Sequence, residues 1–294
     1  MQWWTESDIP DQSGRTVIIT GANSGLGERA AHVLAEAGAE VILACRSVEK
    51  AAPVAAAIGP RATVRRLDLA DLSSVRAFAD SVESVDVLIN NAGVMAIPFG
   101  RTVDGFEMQF GTNHLGHFAL TGLLLDRITD RVVTLSSVLH RLPGMNLDDP
   151  NFTERRYGRW RAYGQAKRAN LMFGYELARR LEAAGSPLRS IAAHPGYART
   201  HLAVNTRLPL AAVGAAVMNG LFAQTARLGT LPELYAATVP DAPNGAYYGP
   251  NVPGELWGFP HRCGSNRASR NLDTARRLWE ESEKLTGVVY PLPT

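Results

Sequence analysis

Cysteine is scarce in this 294-residue chain: there are two, Cys45 and Cys263, with no partner at metal-site spacing. Their isolation argues against a disulfide framework and against a structural zinc site. A dominant charge is missing too. Thirty Lys and Arg against 28 Asp and Glu leave +2, which is no polyanion footprint, so nucleic acid is not an expected partner. No apolar run is long enough to span a bilayer. The longest such window, 208–218, is interrupted by Asn219 and Gly220 and reads as a buried or site-covering helix. The first eight residues lack the basic-then-apolar order of an export signal, so a cytoplasmic protein without an integral membrane segment is expected. Repeats, low-complexity tracts and polar linkers are absent as well. What remains is a globular composition, 46% hydrophobic and 20% charged.

The dominant positive signal is alternation. Short β-rich runs at 16–20, 41–45, 62–67, 86–89, 131–135 and 188–193 are separated by helix-like blocks, as in a parallel sheet covered by helices. Helices are expected at 28–37, through the fifties with Pro53 restricting the first turn, and at 72–82. Two long helices, 105–128 and 161–184, form the centre of the chain. In the first, Phe106, Phe110, Phe118 and Leu125 fall near a helical repeat and predict one buried stripe. A last strand at 245–248 and an amphipathic helix at 271–284 close the chain. The expected fold class is α/β, one doubly wound parallel sheet in a single domain over residues 1–294.

Gly21, Asn23, Ser24, Gly25, Leu26 and Gly27 fill the turn between the first strand and first helix. In that context glycines permit tight turning and close approach of a pyrophosphate to helix-start N–H groups. The spacing is Gly-x3-Gly-x-Gly, and an ordinary βα turn is the bland alternative. After the second strand, where an acid would bind a ribose diol, stands Arg46. A guanidinium there suits a 2′-phosphate and favours NADP over NAD, unless Arg46 merely begins a solvated helix. Asp68, beyond the third strand, could accept from an adenine amine or cap the next helix. The Asn90-Asn91-Ala92-Gly93 turn could approach the adenosine half or simply be a turn.

Tyr163 and Lys167 are four apart in a helical segment and share a face. A nearby ammonium is expected to lower the tyrosine pKa, so that the phenol exchanges a proton with a substrate oxygen. Ser137, ending the fifth strand, could hold that oxygen. Singly, each residue also has an ordinary reading, as an exposed pair and a turn serine.

Together these residues carry a resemblance. Thr20-Gly21-Ala22-Asn23-Ser24-Gly25-Leu26-Gly27, Asn90-Asn91-Ala92-Gly93, Asn113, Ser136-Ser137, Tyr163-x3-Lys167 and Pro195-Gly196-x3-Thr200 resemble the short-chain dehydrogenase/reductase superfamily over about residues 14–290. Leu43-Ala44-Cys45-Arg46-Ser47, Tyr163-Gly164-Gln165-Ala166-Lys167 and Gly245-Ala246-Tyr247-Tyr248-Gly249-Pro250 resemble its retinol-dehydrogenase-like and WW-domain-oxidoreductase-like branch. The resemblance implies a Rossmann fold and an NAD(P)-dependent oxidoreductase with Ser137, Tyr163 and Lys167 as its catalytic group. Asn113 would hold a water in the proton relay, and Lys167 would also bind the nicotinamide ribose. Asp68 with Leu69, and Asn90, Ala92 and Gly93, would line the adenosine half. Pro195, Gly196 and Thr200 would sit against the nicotinamide half.

Ser137 and Tyr163 are 26 positions apart, about twice the gap of the compact form of that family, so residues 140–160 read as an insertion. It could border the substrate mouth, or be a solvated loop or an interface. Residues 200–240 are expected to cover the substrate, with 208–210 and 215–218 lining a pocket for a lipophilic alcohol, aldehyde or ketone, unless they only cover the core. His114, His117 and His194 are read as core or site-wall histidines remote from the cysteines, with no metal. A homo-oligomer, if formed, is expected to use the exposed faces of the two long helices. A carbon–carbon double-bond reductase and a non-catalytic dinucleotide-sensing protein are the competing functions.

Overall fold

The computed structural model describes residues 3–197 and 225–292. Eight strands form one sheet in the order β3-β2-β1-β4-β5-β6-β7-β8. They are β1 Thr16–Thr20, β2 Glu40–Cys45, β3 Ala62–Arg66, β4 Val85–Asn90, β5 Ile128–Leu135, β6 Arg189–Ala193, β7 Tyr247–Pro250 and β8 Pro260–Arg262. The first seven run parallel, whereas β8 pairs antiparallel with β7. This is a Rossmann-type α/β fold with a mostly parallel sheet. β8 escapes sequence reading because three largely exposed residues carry no alternation.

Strand periodicity sorts the core into two faces. Val17 and Ile19 point with Val41, Leu43, Val133 and Leu135 toward α1 (Gly25–Glu36), α2 (Val48–Ile58) and α7 (Ala226–Thr238). Ile18, Ile42, Leu88 and Val132 face the other way, toward α3 (Leu72–Asp80), α5 (Gly116–Leu124), α6 (Arg159–Ala183) and α8 (Leu272–Thr286). Strand order reverses at β1, which pairs with both β2 and β4. Such a switch point opens a crevice at the strands' carboxyl ends.

Two expectations need correction. Pro53 sits inside α2, not in its first turn; it is exposed, so the carbonyl it leaves unpaired is open to water. The helix expected at 105–128 is broken: one short turn, α4 (Met108–Phe110), leads into a π-helical turn, Gly111–Leu115, before α5 begins. Its stripe is split accordingly, with Phe106 and Phe110 in one cluster and Phe118 and Leu125 in another. Residues 226–238, within the region expected to cover the substrate, form α7, which packs on α1 and the sheet and buries Leu231, Leu234, Ala236 and Ala237. The apolar stretches at 208–210 and 215–218 lie outside the described residues.

One face of α6 is covered by the chain's own C-terminal segment. Trp279 of α8 packs against Phe118 and Phe173 with ring centres 5.2 and 5.8 Å apart, and the Arg180 guanidinium lies 4.4 Å from its ring. Tyr290 follows, its hydroxyl donating to the Phe118 carbonyl at 2.6 Å. Among the described residues no helix is long and apolar enough to cross a membrane.

Candidate active site

A cleft of about 370 Å³ lies at the carboxyl ends of β1, β2, β4 and β5, within the size range of small-molecule sites. Its floor begins with the glycine turn. Gly21 has φ +69°, and a Cβ there would stand 2.9 Å from the Ala92 Cβ. A Cβ on Gly27 would stand 2.5 Å from Asn91 Nδ2 and 2.8 Å from the Gly21 carbonyl. The β1–α1 turn is therefore pressed flat against the β4 turn, which only hydrogen at these positions permits. Thr20 fastens the two: its Oγ1 accepts from the backbone N–H of Asn91 and Ala92 at 3.0 and 2.9 Å. Ser24 precedes α1 without a side-chain bond to the first-turn amides, so those donors face the cleft lined by Asn23, Ser24, Gly25 and Leu26.

At the outer end, Arg46, Ser47 and Lys50 line the cleft. Ser47 caps α2 by accepting from the Lys50 N–H at 3.3 Å, which turns two cations toward one place. Lys50 was missed in the sequence; its signal is the four-residue spacing from Arg46 across a helix start. Asp68 and Leu69 lie on the lining. Asp68 is not the helix cap: Asp71 accepts from Ser73 and Ser74, while Asp68 accepts from the Ala70 N–H at 3.0 Å. Ala92, Gly93 and Pro195 also reach the lining.

Other expected contacts point elsewhere. The Asn90 side chain is buried and donates to Thr121 at 2.9 Å, while its neighbour Asn91 reaches the cleft. Gly196, at φ +68°, gives its N–H to His194 Nδ1 at 3.2 Å and backs onto the Leu256 carbonyl. It is not on the described lining. Thr200 lies outside the described residues.

Tyr163 and Lys167 line the inner end with Ser136, while Ser137 stands beside Tyr163 and is not on the described lining. Ser137 follows β5 and begins the turn Val138–Arg141, where its hydroxyl accepts from the Leu139 N–H at 3.2 Å. It also lies close enough to the Tyr163 phenol to favour the charged form of that phenol. Lys167, one turn along α6, places Nζ 5.9 Å from the centre of the Tyr163 ring and donates to the Leu135 carbonyl at 3.1 Å. Asn113, in the π turn, accepts from the Val94 N–H at 2.7 Å and donates to the Val94 carbonyl at 2.9 Å. A Cβ on Gly93 would lie 3.1 Å from Asn113 Oδ1 and 3.6 Å from Lys167 Nζ, so these three meet at one point.

The electrostatics correct one expectation. Burial pushes the Tyr163 phenol up to about 12, and the neighbouring Ser137 hydroxyl only partly opposes it. The Lys167 charge does not lower it. The ammonium is itself fully buried and comes down to about 8, because loss of water disfavours its charge more than Glu233 favours it. Glu233, on α7, also escaped the sequence reading, since nothing local distinguishes it from any helical glutamate.

His114 and His117 are buried and pushed by burial down to about 3 and about 4. His117 lies 2.9 Å from both Thr20 Oγ1 and the Asn113 carbonyl, tying β1 to the π turn. His194 is not remote from Cys263 in space: its Nε2 is 3.2 Å from Glu255 and 3.7 Å from the Cys263 sulfur. Both of its nitrogens are engaged by protein, Nδ1 with the Gly196 N–H and Nε2 with Glu255, which Arg141 also holds at 2.8 Å. Residues 142–158 form a loop gathered by Asp149, which accepts from the N–H groups of Thr153, Glu154 and Arg155. Tyr157 pins it to the Ile97 carbonyl at 3.0 Å.

A family model for short chain dehydrogenase matches residues 15–210, two thirds of the chain. Retinol dehydrogenase 13 of Homo sapiens is 39% identical over 294 residues, spanning 95% of this chain and 86% of that protein. A crystal structure of an uncharacterized protein from Mycobacterium paratuberculosis aligns with TM-score 0.87 and 49% identity, covering 99% of this chain and 100% of that one. An NAD(P)-dependent gluconate 5-dehydrogenase from Beutenbergia cavernae, solved with NADP at low occupancy, aligns with TM-score 0.65 and 27% identity, covering 81% and 95%. The chain belongs to the short-chain dehydrogenases and is an NAD(P)-dependent oxidoreductase of that family.

Proposed function

We propose that this chain is an NADP(H)-dependent enzyme that interconverts a carbonyl and a carbinol on a lipophilic substrate, with Tyr163 as the proton-exchanging group. The observation that carries the reading is the buried Tyr163 phenol beside Ser137, with Lys167 one turn away, at the inner end of a glycine-floored cleft. The flush glycine turn and the free first-turn amides of α1 fit a pyrophosphate, and Arg46 and Lys50 fit a 2′-phosphate. When bound, the nicotinamide supplies or accepts the hydride.

The protein's part is position and proton. Ser137 orients the substrate oxygen beside the phenol. Tyr163, held neutral by its burial, is in the state that gives a proton to a carbonyl oxygen, and it takes the proton back when a carbinol is oxidised. Lys167 places positive charge beside that transfer and binds the nicotinamide ribose. Asn113 stands at the Gly93–Lys167 junction, where a water in the proton relay would be held. The whole chain is read as one domain, and residues 140–160 as an insertion bordering the substrate mouth. Similarity to a retinol dehydrogenase supports an apolar alcohol, aldehyde or ketone as the substrate class. NADPH oxidation followed across apolar aldehydes, ketones and enones tests the reading. Consumption with the carbonyls and none with the enones is expected; turnover on enones alone overturns it.

A further inference from the structure

Glu255 holds a backbone conformation that its side chain does not favour. It lies in the loop between β7 and β8 at φ +57°, a left-handed position where a glutamate gains none of the freedom of glycine. Its partners do not offset that strain through stability. Arg141 is 40% exposed in its side chain, and ion pairs so open to water contribute little. Strain kept on those terms points to a task.

The carboxylate bridges two turns at the end of the sheet. Arg141 Nη2 donates to both of its oxygens at 2.8 Å, from the turn Val138–Arg141 that Ser137 begins. His194, directly after β6, brings Nε2 to 3.2 Å from Oε2. Its Nδ1 accepts from the Gly196 N–H at 3.2 Å, so the neutral ring carries its proton on Nε2, aimed at Glu255. Donors and acceptors therefore run unbroken from Gly196 through His194 and Glu255 to Arg141. Room for the imidazole comes from Gly249 of β7, where a Cβ would stand 1.9 Å from Nε2. The next loop residue completes the grip, the Leu256 carbonyl accepting from the Tyr197 N–H at 2.7 Å. Ser136, preceding one of these turns, and Pro195, in the other, both line the cleft with Tyr163.

We propose that Glu255 is a positioning residue for hydride transfer: it ties the Ser137 turn to the Pro195–Gly196 turn and so sets the width of the nicotinamide end. This rests on the reading of Ser137 as the holder of the substrate oxygen and of Pro195 and Gly196 as neighbours of the nicotinamide. The tie is a charged one. Burial alone would raise the Glu255 carboxyl, yet His194 and Arg141 bring it down to about 2. Burial holds His194 below its ordinary value, against the pull of Glu255. The Cys263 thiol, 3.7 Å from Nε2, is pushed by burial up to about 12 and brings no competing charge.

The test uses the full chain, with NADPH and nonanal as probes, in Glu255→Gln, Glu255→Gly and wild type. Glycine relieves the positive φ while deleting the carboxylate, so that variant separates backbone strain from the tie. In both variants kcat is expected to fall about ten- to hundredfold, the scale of a small misplacement, with NADPH affinity within about twofold. Fluorescence of bound NADPH, which reports the surroundings of the nicotinamide, is expected to change in both. Amide exchange over residues 138–142 and 194–197 reads the tie without turnover and is expected to quicken in both segments. Unchanged exchange in either segment, or unchanged kcat and NADPH fluorescence in a folded Glu255→Gly protein, overturns the proposal. If wild type leaves nonanal untouched while exchange and NADPH fluorescence shift in the variants, the lipophilic-carbonyl reading fails and the tie is supported.

Discussion

The Lys167 ammonium faces the Tyr163 ring from 5.9 Å yet donates to the Leu135 carbonyl at 3.1 Å, so lysine and phenol are neighbours without a direct bond. A carbonyl at the end of β5 thus fixes the charge, and Ser137 is the side chain that acts on the phenol. Tyr163→Phe removes the proton donor and leaves the glycine floor intact. Turnover is expected to fall about 10²–10⁴-fold, with NADPH affinity nearly unchanged by fluorescence titration. Retained turnover would falsify Tyr163 as the acid.

Arg46 and Lys50 line the outer end of the cleft, where the proposed function puts the cofactor's 2′-phosphate. Arg46→Asp is expected to reduce kcat/KM for NADPH relative to NADH by about ten- to hundredfold, the usual range for charge-assisted hydrogen bonds. Lys50→Ala should act in the same direction, more weakly. A cofactor preference that ignores both changes would show that the phosphate binds elsewhere.

Gly27→Ala places a methyl 2.5 Å from Asn91 Nδ2 and 2.8 Å from the Gly21 carbonyl. The turn must lift off the β4 end, at about 1–3 kcal/mol by the usual range for overpacking. Thermal unfolding and NADPH titration should both report the loss, and normal affinity would contradict a flush cradle.

Trp279 joins α8 to α5 and α6, and its indole N–H is buried without a partner among the described residues. Trp279→Ala is expected to cost about 3–5 kcal/mol by urea unfolding. Trp279→Phe should cost distinctly less, because it keeps an aromatic filler and removes the orphaned donor. Equal losses in the two variants would count against this packing account.

Acid should destabilise the fold between about pH 6.5 and 4.5. His114, His117 and His140 are pushed down to about 3, 4 and 4, so the unfolded chain takes up protons there that the folded chain refuses. Glu233, pushed up to about 8, runs the other way: the folded chain holds its proton while the unfolded chain releases it above its ordinary value of 4.5. Three protons against one leave stability rising with pH through this window, at about 1.4 kcal/mol per pH unit for each net proton. Urea midpoints measured from pH 4.5 to 6.5 should climb, and a His114→Gln slope should be shallower. A flat series would contradict neutral buried histidines.

Most strands were legible because each is a short apolar run between breakers, and both ligand-facing turns were legible because Gly21–Gly27 and Asn90–Gly93 sit at strand ends. The π turn was not. Residues 111–115 continue a helical pattern, and the extra residue becomes visible only where Asn113 must reach both backbone groups of Val94. The cover over α6 was equally hidden, since α8's amphipathic stripe specifies a buried face without naming its partner.

Residue order alone determined the alternation of strands and helices, the glycine floor, and the four-residue spacing that puts Tyr163 and Lys167 on one side of α6, because each is a local steric or periodic property. Tertiary structure decided which charges and dipoles face one another. It aimed Asn90 inward and Asn91 toward the cleft, gave Lys167 to the Leu135 carbonyl, and buried the Glu233 carboxyl on α7. Those are matters of distance and lost solvent, and a linear chain has neither until it packs.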